Sequence, residues 1–253
     1  MAKVLFLQDV WIEYYGLMQL SGLLKRHGHT TEVLFASEQS SLQSIKEKKP
    51  DLIAYSCMTI QWNWLKSMSS FLKKNGISTP QAVGGIHSTM YPDMTINHDG
   101  VDIICRGEGD YAILELCDAL DKKSDYSSIK NLWVKQGGKI KKNGVRPKLS
   151  STQLDALPFP DRDLYSKYSY FDDYPFVTFV GSRGCPFKCS FCEVPTIARL
   201  YESQKSTIYQ NVDSFIDEIE DVKNKGLLKG KLVMFTDSTF NSHKKWFMEF
   251  CQK

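Results

Sequence analysis

Short apolar runs alternate, through the first half of the chain, with stretches whose apolar positions recur at helical spacing. Val4 to Leu7 is a continuous apolar run, the pattern of a strand buried on both faces. Leu17, Leu20, Leu23 and Leu24 then repeat on one helical face, and Gly28 closes that helix. Thr31 to Phe35 predicts a second strand, and Leu42 to Lys48 a short helix. Pro50-Asp51 introduces a third strand over Leu52 to Ser56. Trp62, Leu65, Ser69 and Leu72 share a helical face that ends near Gly76. Gln81 to Val83 is a brief strand before Gly84-Gly85, and Val101 to Cys105 is a fifth. Ile113, Leu114, Leu116, Cys117 and Leu120 make the last helix. Strands and helices in strict alternation imply an α/β fold, a doubly wound parallel sheet of five strands with right-handed crossovers.

The pattern changes after residue 130. Asn131 to Val134 and Lys139 to Lys142 predict a hairpin across Gln136-Gly137-Gly138. The run from Leu154 to Arg162 carries Pro158 and Pro160 among charges and is expected as an extended crossing. Tyr165, Tyr168, Tyr170, Phe171, Tyr174 and Phe176 follow, expected to pack between domains or to line a substrate entrance. Phe176 to Val180 predicts a strand, Val212, Phe215, Ile216, Ile219 and Val222 an amphipathic helix. Leu232 to Phe235 predicts another strand, and Trp246, Phe247 and Phe250 begin a further helix. Three segments result: a domain over 1–150 that includes the hairpin, a linker over 151–175, and a second domain over 176–253.

Composition narrows the class. Of 253 residues, 42% are hydrophobic and 24% charged, enough apolar mass for a real core and against disorder. A net charge of +3 without a dense Lys/Arg block argues against nucleic acid. No apolar run approaches the roughly 18 residues of a membrane span. Met1-Ala2-Lys3 and the short run behind it are too soon polar for a signal peptide. Seven cysteines without a secretory segment point to a reducing, cytoplasmic compartment.

Ligands of doubly wound sheets bind beyond the carboxyl ends of the strands. The candidates are therefore Gln8-Asp9-Val10-Trp11, Ser56-Cys57-Met58-Thr59, Gly84-Gly85-Ile86-His87 and Arg106-Gly107-Glu108-Gly109. Glycine pairs let a bulky ligand approach the backbone, although Gly84-Gly85 also suits a plain tight turn. No G-x-G-x-x-G follows the first strand, which disfavours a dinucleotide site. Ser56 stands where a phosphoacceptor aspartate would, which disfavours a receiver domain. His87 is the histidine at a strand end, read as a polar contact or a loop residue rather than a metal ligand. His27, His29, His98 and His243 read as surface or cap residues.

Cys185, Cys189 and Cys192 stand in a C-x3-C-x2-C spacing within Gly-Cys-Pro-Phe-Lys-Cys-Ser-Phe-Cys. Three close thiolates suit an iron–sulfur cluster and would leave one iron of a cubane without a protein ligand. A structural zinc site is the rival, but it normally closes with four ligands, and His243 and Cys251 lie in no recognisable pair. A disulfide framework is weaker, since three is odd.

This spacing, with Ser182-Arg183-Gly184-Cys185-Pro186 and Ser190-Phe191-Cys192, resembles the radical S-adenosylmethionine superfamily. The resemblance implies a [4Fe-4S] cluster on Cys185, Cys189 and Cys192, its open iron chelated by S-adenosyl-L-methionine. An electron from the reduced cluster would then release a 5′-deoxyadenosyl radical; potentials as low as about −700 mV make this reasonable. It also implies that Phe191 lies near the adenine and that Asp237 and Ser238 meet the amino group, although Asp237 equally suits a helix cap. Gln204-Lys205-Ser206 departs from the Arg-rich version usual in the family. The first half resembles the cobalamin-binding domain that precedes many such enzymes, through Val83 to Thr89, Pro92 and Asp102 to Asp110, together with Ser56-Cys57-Met58. That implies a flavodoxin-like, Rossmann-like domain with cobalamin contacts from Gln8, Asp9, Ser56, Met58, Thr59, Gly84, Gly85, His87, Gly107, Glu108 and Gly109. The D-x-H-x-x-G element is absent, because Trp11 stands where the axial histidine would.

The resemblance implies methylation of an unactivated carbon or phosphorus in a small-molecule substrate, with reducing electrons from a flavodoxin or ferredoxin. A radical cyclase or rearrangement enzyme is the alternative within the family, and a non-catalytic cobalamin or cluster module the alternative outside it. From Phe176 to Lys253 there is room for two strand–helix units at roughly 30 residues or more each. The partial TIM barrels of the superfamily have about six. The chain therefore reads as the cobalamin domain and the first barrel units of a longer enzyme, with an open sheet edge after Leu232 to Phe235.

Overall fold

A computed structural model describes residues 1–35, 37–201 and 206–253. Two compact units divide the chain, Met1–Arg146 and Pro147–Lys253. The first is built from β1 (Lys3–Gln8), α1 (Tyr15–Arg26), β2 (Thr30–Phe35), α2 (Glu38–Lys48), β3 (Leu52–Ser56) and α3 (Trp62–Lys74). Then come β4 (Gln81–Gly84), α4 (Ile86–Met90), α5 (Pro92–Ile96), β5 (Ile103–Cys105), α6 (Asp110–Asp121), β6 (Leu132–Gln136) and β7 (Lys139–Lys142). The sheet runs β2-β1-β3-β4-β5-β6-β7. The first five strands are parallel, as the alternation predicts. Strand order reverses at β1, which places the switch point between the loops after β1 and β3.

The sequence signals for these strands are sound because β1 and β3 are buried on both faces. Leu5, Phe6, Leu52 and Ile53 are all under 3% exposed. Three details differ from expectation. The hairpin does not stand apart: β6 pairs antiparallel with β5, Ile103 opposite Val134, so the parallel sheet gains two antiparallel strands at its edge. Helix α2 starts four residues early, because the Ser37 hydroxyl accepts from the Ser40 N–H and caps it. His29, expected at the surface, is buried. Its Nδ1 accepts from the Ala2 N–H at 3.1 Å and its Nε2 lies 3.0 Å from Asp118.

The second unit contains α7 (Ser151–Asp155), β8 (Phe176–Phe179), β9 (Ser182–Gly184), α8 (Val194–Ala198) and β10 (Thr207–Tyr209). It ends with α9 (Val212–Asn224), β11 (Leu232–Phe235) and α10 (Lys244–Gln252). β8 and β11 pair in parallel, the arrangement of successive barrel strands. β11 has no second strand neighbour among the described residues, and Leu232, Val233 and Met234 lie exposed on it. Phe215 on α9 is the hub of the core, with its ring 5.6 to 5.9 Å from those of Phe235, Trp246 and Phe250.

The linker over 151–175, whose run from Leu154 to Arg162 is expected to be extended, contains short helical turns at 151–155, 162–165 and 169–171 and belongs to this unit. A capping box between Ser150 and Gln153 starts α7, and Leu154, Leu164, Tyr165 and Phe171 are buried. The aromatic residues of this stretch pack against one another in tilted pairs, Tyr165 with Phe171 at 5.0 Å and Phe171 with Tyr174 at 5.7 Å. Arg162 makes the firmest attachment. Its Nη2 donates to Glu218 Oε1 on α9 at 3.0 Å and to the Thr178 carbonyl of β8 at 2.8 Å. Both partners of the ion pair are under 10% exposed. Among the described residues no helix is long and apolar enough to cross a membrane.

A buried pair broken on one side leaves an uncompensated charge. Glu218→Ala should therefore cost about 3 kcal/mol in urea unfolding of the chain. A loss below 1 kcal/mol would show that the pair is peripheral to this unit.

Candidate functional site

The loops at the carboxyl ends of β1, β3, β4 and β5 are laced by side chains rather than by backbone alone. After β1, buried Gln8 donates from Nε2 to the carbonyls of Val10 at 2.6 Å and Ile12 at 2.7 Å, which curls the loop. Asp9 accepts from Gln61 Nε2, and the same amide donates to the Tyr14 hydroxyl at 3.0 Å. Gln61 Oε1 accepts from the Met58 N–H at 3.0 Å. One buried glutamine thus joins the loops after β1 and β3. Trp11, in the place of an axial histidine, stacks on Phe35 with centroids 4.4 Å apart.

The two glycines after β4 differ in kind. The loops after β3 and β4 continue the ladder past the strands: the Cys57 N–H donates to the Gly84 carbonyl, and the His87 N–H to the Cys57 carbonyl, each at 3.0 Å. Gly85 has φ +90°, and a Cβ there would stand 2.9 Å from both the N and the O of Cys57. Its lack of a side chain is demanded by the protein itself. A Cβ on Gly84 would meet nothing closer than the Tyr55 carbonyl at 3.8 Å. A Cβ there would make only ordinary van der Waals contacts, so the protein's own backbone does not demand this glycine.

His87, expected as a polar contact or a loop residue, lies in α4 and is fully buried. Its ring stacks on Trp62 at 4.7 Å, and its Nδ1 sits 3.3 Å from Thr59 Oγ1. Burial pushes its pKa below the ordinary value, so the imidazole is held neutral. Its neighbours were not singled out from sequence and carry more of the architecture. Ser88 donates to the Cys105 carbonyl at 2.9 Å, and Thr89 donates to the Gly85 carbonyl and accepts from the Gly107 N–H at 3.1 Å. Asn131, buried at φ +74°, donates to the carbonyls of Arg106 and Glu108. A lone Asn before a strand gives no such signal, because its partners are 23 and 25 residues away. Around these clasps Ser56, Gly107, Glu108 and Gly109 are partly accessible, Thr59 is exposed, and apolar Ile60, Ile86 and Tyr91 face solvent. The thiols of Cys57 and Cys105 are pushed up to about 12, chiefly by burial, and stay protonated.

In the second unit, Cys185, Cys189 and Cys192 line one cavity of about 530 Å³. They do not follow β8 directly. β9 intervenes and pairs with β10, and Gly184, at φ +91°, lies so close to Ser206 that a Cβ would overlap its carbonyl. That glycine sets the direction in which Cys185 leaves the hairpin. Cys189 is exposed, Cys185 and Cys192 partly so, and all three are free thiols. No three His, Cys, Asp or Glu side chains among the described residues stand close enough to hold a single metal ion. Thiolate is the donor type that an iron–sulfur cluster requires, and all three thiols line the same cavity.

The residues assigned to the nucleoside ligand fare unequally. Phe191 is 92% exposed, free to stack on a ligand ring. Ser238 is exposed. Asp237 is neither a helix cap nor unengaged: one oxygen accepts from the Gly181 N–H at 3.2 Å and the other from the Ser182 hydroxyl. Its carboxylate fastens the β8–β9 connection to the end of β11, and burial raises its pKa. Arg199, which the sequence did not single out, lines the cysteine cavity and offers a guanidinium to an anionic ligand. Gln204 and Lys205 lie outside the described residues; Ser206 lines the cavity.

Residues 12–117 match the profile of the B12 binding domain family. An uncharacterized methyltransferase of Pyrococcus horikoshii is 29% identical over 79% of this chain and 42% of its own length. The anaerobic magnesium-protoporphyrin IX monomethyl ester cyclase of Rubrivivax gelatinosus is 28% identical over 96% of this chain and 43% of its own. The radical S-adenosylmethionine methyltransferase TsrM from Kitasatospora setae superposes over all of this chain and 50% of its own, with a TM-score of 0.76 at 18% identity. The chain spans less than half the length of these two curated relatives.

The two glycines should separate by measurement. Gly85→Ala should lower stability by more than about 2 kcal/mol from backbone strain and overlap, whereas Gly84→Ala should stay within about 0.5 kcal/mol. Urea midpoints of both variants decide it. His87 gives a second expectation. A buried imidazole with a lowered folded pKa contributes stability above its unfolded value near 6.5, lost as pH falls below that. His87→Phe should keep the stacking on Trp62 and flatten the fall in midpoint between pH 7.5 and 5.5.

Proposed function

We propose that this chain, a relative of the cobalamin-dependent radical S-adenosylmethionine enzymes whose first half matches the B12 binding domain, serves a radical methyltransferase acting on an unactivated centre of a small molecule. The observation that carries the reading is the gathering of Cys185, Cys189 and Cys192 around one cavity, on a chain that also bears open strand-end loops beside Gly84. When bound, a reduced [4Fe-4S] cluster with S-adenosyl-L-methionine supplies a 5′-deoxyadenosyl radical, and cobalamin carries the methyl group. The chain's own residues bind and orient. The three cysteine thiolates hold the cluster, Arg199 takes a ligand carboxylate, and exposed Phe191 covers an adenine. Gln8, Asp9, Ser56, Met58, Thr59, Gly107, Glu108 and Gly109 border the corrin site, with Gly84 giving room for close approach. Electrons come from a flavodoxin or ferredoxin.

A second reading, a radical cyclase, is favoured by the ester cyclase relative, whose identity nearly equals that of the methyltransferase. Incubation of the cofactor-loaded full-length protein with candidate substrates distinguishes them, since methyl transfer yields S-adenosylhomocysteine and cyclisation does not.

Anaerobic reconstitution should load about four irons, and changing Cys185, Cys189 and Cys192 together to alanine should abolish the brown chromophore. Stoichiometric zinc with no iron in anaerobically prepared protein would refute the cluster. Gly84→Val should weaken cobalamin binding at least tenfold while the urea midpoint changes little, because a Cβ there makes only ordinary contacts with the protein. The cob(II)alamin complex should lack nitrogen superhyperfine splitting from histidine, since His87 is buried and Trp11 replaces the axial residue. A nitrogen triplet that vanishes in His87→Ala would overturn that expectation.

A further inference from the structure

The segment after β11 touches the cysteine loop twice. Asp237 holds Gly181 and Ser182, and Thr239 Oγ1 lies 3.2 Å from Cys185 Sγ. Thr239 is itself anchored. The Thr236 N–H donates to the Phe179 carbonyl at 2.9 Å, and Ser242 Oγ donates to the Thr239 carbonyl at 3.2 Å. Ser242 is held in turn by the Tyr209 hydroxyl of β10, 2.5 Å away. The Thr239 hydroxyl also stands 2.6 Å from the Ser238 carbonyl, which can only accept. With that single proton aimed at Ser238, the contact to Cys185 is one in which the thiol donates. A thiolate on iron has no proton to give, so at the same separation this contact is a hydrogen bond only if the threonine hydroxyl turns and donates to sulfur.

We propose that Thr239 is a positioning residue for the cluster: its hydroxyl donates to Cys185 Sγ once that sulfur is a ligand, fixing the sulfur's orientation and raising the cluster's reduction potential. This rests on the cluster reading above. Hydrogen bonds to ligand sulfurs draw off electron density and are among the features that set cluster potentials. The contact is specific to one corner. Among the described residues, Cys185 alone of the three has a hydroxyl at hydrogen-bond distance, whereas the side-chain neighbour of Cys192 is the Glu193 carboxylate at 3.7 Å.

The test is a redox titration of the anaerobically reconstituted full chain, without S-adenosyl-L-methionine, followed by electron paramagnetic resonance. Thr239→Val removes the donor at constant shape and should retain the iron while its midpoint shifts to lower potential. Thr239→Ser restores the donor and should return the midpoint toward the wild-type value. Full iron with an unmoved midpoint in Thr239→Val overturns the inference and leaves the cluster assignment standing. Iron lost from both variants alike also overturns it, as a merely structural role would. Iron lost from the valine variant but kept by the serine variant supports it, because the hydroxyl is then needed to hold the ligand. Wild-type protein that takes up no iron refutes the cluster reading, and the inference with it.

Discussion

The close approach of the loops after β3 and β4 is the constraint on which the first unit depends. Two backbone hydrogen bonds carry the parallel ladder past the strand ends, and the gap they leave at Gly85 admits no Cβ. Because the chain turns there at φ +90°, α4 begins at once and swings His87 inward onto Trp62. Ser88 and Thr89 follow on that helix and reach the loop after β5. One forbidden side chain thus fixes the relation of three loops. Gln61 adds the loop after β1, so the whole carboxyl edge is held before any ligand arrives. Pre-organisation of this kind lowers the ordering cost of binding.

The second unit solves a similar problem by similar means. Gly184 lets β9 pass close to Ser206, and Asp237 clasps the connection that leads to it. Below this lie the Arg162–Glu218 pair and the aromatic cluster around Phe215, which anchor β8 and α9. The cysteines sit beyond these fixed points on exposed backbone. Their chemistry follows from that difference. Cys57 and Cys105, buried in the first unit, have thiols pushed up to about 12, while Cys189 is exposed.

Glycines at neighbouring positions carry opposite meanings, and only local space tells them apart. Gly85 is needed by the protein's own backbone, whereas a Cβ on Gly84 would make only ordinary contacts. A similar division separates Asp237, whose carboxylate is engaged with Gly181 and Ser182, from Arg199, which lines the cysteine cavity.

The sequence alone determined the parallel α/β core, because β1 and β3 are apolar on both faces and each intervening helix shows one apolar stripe. It also marked Cys185, Cys189 and Cys192 as one candidate site by their spacing. The tertiary structure decided the rest. Whether His87 faces a ligand or Trp62 depends on a helix that starts at Gly85, and its short pattern carries no periodicity to read. Whether residues 151–175 cross freely or fold depends on Arg162 finding Glu218, 56 residues onward. Asn131, Gln61 and Thr239 act through partners at separations of 23 to 54 residues, and hydrogen bonds at such range leave no local trace in composition or spacing. Periodicity records which face a residue turns to the core; the partner it meets there is set only when the strands align.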